Sequence, residues 1–258
     1  MSETTHRADA TVTGVALARR ATAEVVGTGL LVTVVVGSGI AAQRLTTDPG
    51  LRLLENSIAT ALGLGVLILL FGPVSGAHFN PLVSAADALL GRRRRTGLSF
   101  PVLCVYIVTQ VIGGIGGAVL ANAMFAVPTT LSSTDRATPA TLLGEIVATA
   151  GLVLLIAGLA RTRRPVPVVA AAVGAYIGAA YWFTSSTSFA NPAVTIGRLF
   201  TDTFAGIAPA SVLPFLGAQI VGAGIGVALA ILLFPHATTA TGDLVADPVL
   251  TETRENSR

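Results

Sequence analysis

Two asparagine–proline pairs carry the most informative chemistry in this chain, Asn80-Pro81 and Asn191-Pro192. Asparagine caps helices well and proline suits the first helical position, so each pair reads as a helix start. A helix start leaves N–H groups without intrahelical partners and gathers roughly half a positive elementary charge. The asparagine amide adds donors beside it. Two carboxylates, Glu24 and Glu145, and two carboxamides, Gln110 and Gln219, stand in otherwise apolar stretches. Residues of these types hold, orient and select hydrogen-bonding molecules. Covalent chemistry has no comparable support. Cysteine occurs once, at Cys104, and histidine only at positions 6, 78 and 236. No nucleophile–base pairing and no clustered His, Asp and Cys set emerges, so neither an enzyme nor a metal or other cofactor is called for.

The elements that position these residues are membrane helices. Of 258 residues, 52% are hydrophobic and only 11% charged, where soluble domains carry about 25% charge. A formal charge of +3, spread along the chain, excludes a nucleic-acid partner. Six apolar runs are long enough to span a bilayer core of about 30 Å: 21–40, 56–74, 100–125, 138–160, 165–183 and 211–234. The polar first 18 residues do not resemble a signal peptide, so the first span is expected to be retained. Two further apolar segments, 80–90 and 191–201, open with the Asn-Pro pairs and reach only about half the core at ~1.5 Å per residue. Half-length helices are tolerated in a membrane only where they line a cavity.

Arginine sets the expected orientation, since lysine is absent. With both termini cytoplasmic, twelve arginines fall inside (7, 19, 20, 92–95, 161, 163, 164, 254 and 258) and three outside (44, 52 and 136). Residues 1–18 and 237–258 then form cytoplasmic tails around one channel domain, 19–236. The run 92–95 reads as a topology anchor against anionic lipid.

The chain also repeats itself. Glu24 recurs as Glu145, Asn80-Pro81 as Asn191-Pro192, and the glycine-rich stretch after Gln110 as the one after Gln219, at offsets of 121, 111 and 109 residues. Each copy, about 19–125 and 138–236, is long helix, long helix, half-helix, long helix. Three spans per copy makes the copies inverted in the membrane, with a solute path between them at the midplane. Two opposed helix starts disfavour cations and protons there, and the amides of Asn80 and Asn191 donate to solutes with lone pairs. The loops leading in, Gly76-Ala77-His78-Phe79 and Thr187-Ser188-Phe189-Ala190, are expected to offer backbone carbonyls along the path. This describes a passive channel for small neutral molecules.

These residues resemble the aquaporin and aquaglyceroporin (major intrinsic protein) superfamily. The matching motifs are Ser75-Gly76-Ala77-His78-Phe79-Asn80-Pro81, Ser188-Phe189-Ala190-Asn191-Pro192-Ala193, Glu24, Glu145, Gln110 and Gln219, and the resemblance covers about residues 18–236. It implies an all-α hourglass of six transmembrane helices and two re-entrant half-helices, a pore in each subunit, and a homotetramer. It also implies that Glu24 and Glu145 brace the re-entrant loops; a proton-coupling role is the alternative. Three departures stand out. The first motif continues with Leu82 rather than Ala. The family's filter arginine after the second Asn-Pro-Ala is replaced by Val194, and the aspartate of glycerol facilitators by Thr195. By the family's spacing the other filter positions fall on Thr60, Ala179 (with Gly178 and Ala180 as neighbours) and Ser188. A ring of Thr60, Ala179, Ser188 and Val194 has no aromatic and no charge. It implies a wide outer constriction that admits water with glycerol, urea or a metalloid hydroxide such as arsenite.

Several residues keep two readings. His78 either braces its loop or gates the inner mouth by protonation. Arg198 shares a helical face with Val194, and either reaches outer water or a loop carbonyl or supplies a displaced filter charge. Tyr181 and Trp182 read as an interfacial belt, or Tyr181 projects into the pore if the register of its span is shifted. Cys104 reads as span packing. The pairs Gly113/Gly117, Gly174/Gly178 and Gly222/Gly226 read as close helix contacts. Two functional alternatives remain: a channel for larger neutral solutes such as organic arsenicals, and a secondary transporter on the same inverted repeat.

Overall fold

The computed structural model describes residues 14–92 and 96–234. Most of both expected tails, and the arginines at 7, 93–95, 254 and 258, lie outside the described residues.

Six long helices and two short ones follow in the order the sequence implies. They are α1 (Gly14–Leu45), α2 (Pro49–Ser75), α3 (Pro81–Gly91), α4 (Phe100–Met124), α5 (Pro139–Arg161), α6 (Val166–Phe183), α7 (Pro192–Gly197) and α8 (Pro209–Leu233). The described regular structure is all helical, and α1, α2, α4, α5, α6 and α8 are long and apolar enough to cross a membrane. Proline opens most of them, behind an extended capping residue. Asp48 accepts from the Leu51 N–H at 2.8 Å, which starts α2 seven residues before the expected 56, at Pro49. The charges of Arg52 and Glu55 concealed this extra turn and a half in an apolarity count. Thr138 and Thr141 form a reciprocal capping box at the start of α5.

The second half-helix departs from expectation. The segment 191–201 is six residues of α-helix, Pro192–Gly197, followed by a 3-10 turn, Arg198–Phe200. The turn tightens the backbone where Arg198 is drawn inward, and the chain then leaves in extended conformation at Thr201.

Packing is tightest where glycines face backbone. A Cβ on Gly222 would sit 2.5 Å from the Ile146 carbonyl oxygen, one on Gly226 2.6 Å from that of Ala150, and one on Gly174 2.6 Å from that of Ala61. These close approaches seat α8 on α5 and α6 on α2, while Gly113 and Gly117 do the same for α4 on α1. The outer faces carry exposed Leu62, Val66, Leu70, Leu213 and Leu232, an apolar surface suited to lipid. Cys104 lies on that exposed face of α4 rather than inside the packing, so its expected place is corrected.

Candidate pore and its constriction

The two re-entrant loops have the same unusual backbone. Gly76, Ala77 and Phe79 lie in the left-handed region with φ of 91°, 51° and 50°; Thr187, Ser188 and Ala190 repeat this at 63°, 53° and 46°. Left-handed geometry in residues with a Cβ is costly, of order 1–3 kcal/mol each, and persists only where the surroundings enforce it. The enforcing groups are the buried glutamates. Glu24 accepts from the backbone N–H groups of His78 (3.1 Å) and Phe79 (2.7 Å), the Ser75 hydroxyl (2.6 Å) and the Gln110 amide (2.8 Å). Glu145 accepts from the N–H groups of Phe189 (2.8 Å) and Ala190 (2.9 Å) and from the Gln219 amide (2.6 Å). Each carboxylate pulls successive loop N–H groups towards a long helix, leaving the loop wound and its helix start aimed at the centre.

Gln110 and Gln219 extend both networks alike. Gln110 also donates to the Ser84 hydroxyl at 3.0 Å, and Gln219 to the Thr195 hydroxyl at 2.9 Å. Ser84 and Thr195 stand 111 residues apart, the offset of Asn80 and Asn191, and so belong to the repeat. The sequence reading treated Thr195 only as a departure and left Ser84 out. The matching hydroxyls at a shared offset were the available signal. His78 sits beside this network with Nδ1 3.0 Å from the Ser84 hydroxyl and its ring edge-on to Tyr106.

At the centre the two half-helix starts are tied reciprocally. The Asn80 amide donates to the Ala190 carbonyl at 2.8 Å, and the Asn191 amide to the Phe79 carbonyl at 2.7 Å. Their side-chain oxygens cap their own helices, Asn80 accepting from Leu82 and Asn191 from Ala193 and Val194. An amide nitrogen carries two hydrogens, so each asparagine keeps one N–H beyond these ties. Both residues line a cavity of about 1260 Å³ that reaches from the end of the molecule nearest the described termini, beside Arg161, Arg163, Arg164 and Phe234, past the asparagines to Thr60, Tyr181 and Arg198.

The expected loop residues Gly76, Ala77, His78, Ser188 and Phe189 line this cavity, as do Thr60 and Val194. Two expected positions do not. Thr187 lies just off the lining, because its N–H turns back to the Thr184 carbonyl at 3.3 Å. Ala179 is exposed on the outer face of α6, and that helix instead presents Val173, Ile177 and Tyr181 to the cavity at helical spacing. The assignment of Ala179 to the constriction is therefore corrected, and Tyr181 takes the place. Gly178 and Ala180 are likewise absent from the lining. Tyr181 is buried, and its hydroxyl lies 3.1 Å from that of Thr60. It is not an interfacial residue. Trp182 faces outward and donates to the Ser57 hydroxyl at 3.1 Å.

Arg198 is 2% exposed. Its Nε donates to the Ala205 carbonyl, and its guanidinium carbon stacks 3.4 Å from the centroid of the Phe189 ring. The constriction thus contains an aromatic and a charge, which the expected four-residue ring lacked. The miss was one of register. Counting back from Asn191 fixes α6 only to within two residues, and a shift of two along a helix moves a side chain to the far face.

Comparison with known proteins follows this geometry. The Major intrinsic protein family matches residues 11–188. The chain is 49% identical to "Aquaglyceroporin AqpS" of Rhizobium meliloti over 215 residues, covering 83% of this chain and 89% of that one. It is 31% identical to "Aquaporin NIP1-3" of Oryza sativa subsp. japonica over 193 residues, covering 71% of this chain and 64% of that one. The aquaglyceroporin structure from Plasmodium falciparum superposes with a TM-score of 0.63 at 19% identity, covering 85% of this chain and 96% of the other, a likeness of fold. Six long helices, two opposed half-helices tied through Asn80 and Asn191, and this match over most of the sequence together make the chain a member of the major intrinsic protein family of membrane channels.

Proposed function

We propose that the chain is a passive channel for water and small uncharged solutes of the size of glycerol and urea. The observation that carries this is the reciprocal Asn80–Ala190 and Asn191–Phe79 ties inside one cavity lined by both half-helices. They leave a fixed pair of donors midway along an otherwise apolar path of Leu31, Val35, Leu64, Ile68, Leu152 and Val173. A solute with lone pairs trades water for these donors and moves on, which suits conduction better than capture. Thr60, Tyr181, Ser188 and Val194 form the constriction.

Glu24 and Glu145 act as braces. Their oxygens are committed to loop N–H groups, hydroxyl and amides, which leaves no vacant acceptor for the coupling ion that a secondary transporter needs. The predominance of arginine at the end that carries Arg161, Arg163 and Arg164 supports cytoplasmic termini in a cell membrane. Exposed apolar faces on the long helices support lipid and further copies of the chain as partners, and we read the assembly as a homotetramer with a pore in each subunit. The test is reconstitution in liposomes, with light scattering after water, glycerol and urea gradients. Rates above those of empty vesicles are expected for all three, and rates equal to empty vesicles overturn the proposal.

A further inference from the structure

Arg198 is the one guanidinium held at the constriction without a committed partner for its end. A guanidinium carries five N–H donors. One, on Nε, goes to the Ala205 carbonyl; among the described residues the terminal nitrogens have no hydrogen-bond partner and no ion pair. They are also not sealed off, since the buried side-chain atoms without partners do not include them while Arg198 lines the cavity. The Ser188 hydroxyl, which lines the same stretch, is buried and without a partner. Val194, one turn earlier, is apolar and short, and leaves the space before the guanidinium unfilled.

The group is fixed as well as open. Its flat face lies on Phe189, whose ring is held at 67° against Phe215 with centroids 5.2 Å apart and whose N–H is bound to Glu145. Arg136 places a second guanidinium 5.5 Å from the Phe189 ring and is itself tied to the carbonyls of Gly206 and Phe204. The carboxylate of this neighbourhood is Glu145, already engaged by two N–H groups and Gln219. Positive charge at the constriction is therefore in excess and aimed at the path.

We infer that Arg198 is the selectivity-determining residue of the constriction: its free N–H groups hold the oxygens of a passing polyol, amide or uncharged hydroxide together with Ser188, and its charge turns cations back. This rests on the channel reading above. A fixed guanidinium offers parallel donors to two acceptors at once, which a lysine ammonium cannot reproduce. Its repulsion of a cation is strong where water is scarce.

The test compares the parent with Arg198→Leu and Arg198→Lys in liposomes, reading water, glycerol, sodium and guanidinium fluxes. Arg198→Leu is expected to raise cation uptake by about tenfold or more while water flux stays within about twofold. Arg198→Lys is expected to keep cation exclusion but change the glycerol-to-water ratio by about threefold or more. If Arg198 served only to hold the Ala205 carbonyl, Arg198→Leu would lower all fluxes together and admit no cations. A conducting parent beside an Arg198→Leu variant that still excludes cations overturns the inference alone. Where Arg198→Leu does not reconstitute, an Arg198→Lys variant with an unchanged glycerol-to-water ratio overturns it. A parent without flux overturns the channel reading and this role with it.

Discussion

The hydroxyl of Tyr181 lies 3.1 Å from that of Thr60, joining α6 to α2 across the wall of the constriction. The contact exists because α6 and α2 cross at Gly174 and Ala61, too closely for a larger residue. It makes the aromatic ring a fixed part of the passage. Tyr181→Ala removes that ring, and the glycerol-to-water flux ratio is expected to rise about fivefold. Tyr181→Phe keeps the volume and should leave the ratio nearly unchanged. Stopped-flow light scattering on vesicles checks both, and an unaltered ratio in Tyr181→Ala would remove Tyr181 from the constriction.

The glutamate braces predict a stability effect. Glu145→Gln places an amide where two backbone N–H groups and the Gln219 amide all donate. Leaving buried donors unmet costs about 3 kcal/mol in total. The detergent-solubilised variant should melt well below the parent and conduct less, because the loop then loses its wound form. An unchanged Tm would mean that Glu145 does not hold the loop.

Val194→Arg fills the space before Arg198 and adds a second positive charge one turn from it. Like charges four residues apart repel, and the added volume narrows the passage. Glycerol and urea fluxes are expected to fall further than water flux. Equal losses would place Val194 outside the solute path.

A pH effect belongs to the loops outside the membrane. The Asp202 carboxyl is held below its usual range by the Ser133 N–H and hydroxyl, and the Asp135 carboxyl by the Ser211 hydroxyl and then the Ala137 N–H. A lowered folded-state value means that this support is present above the unfolded carboxyl value and is lost as pH falls through the folded one, below about pH 4. Both groups are exposed, so the effect is small and local. Hydrogen exchange in residues 127–138 should accelerate at pH 3 relative to pH 7 beyond its intrinsic pH dependence. Asp202→Asn should flatten that difference.

The sequence made the helices and the repeat legible through long-range features that tolerate small errors. Six apolar runs, two Asn-Pro pairs and paired glutamates survive a shift of one or two residues. The start of α2 did not, because a cap at Asp48 and charges at Arg52 and Glu55 override hydropathy. The site was legible where chemistry and repeat agreed, as at Asn80, Asn191, Glu24 and Glu145. It was obscured where a single rotation of a helix decides, as at Ala179 and Tyr181. The bend at Arg198 was hidden for another reason. A 3-10 turn stabilised by a loop carbonyl at Ala205 and a ring at Phe189 is a tertiary effect with no local pattern.

The most direct test is the re-swelling of reconstituted vesicles after an inward glycerol gradient. Proteoliposomes should shrink and then re-swell faster than empty vesicles, and Asn191→Asp, which places a negative charge at the tied helix starts, should weaken cation exclusion in the same vesicles. Re-swelling indistinguishable from that of empty vesicles, with water flux equally unchanged, would contradict a path between Asn80 and Asn191.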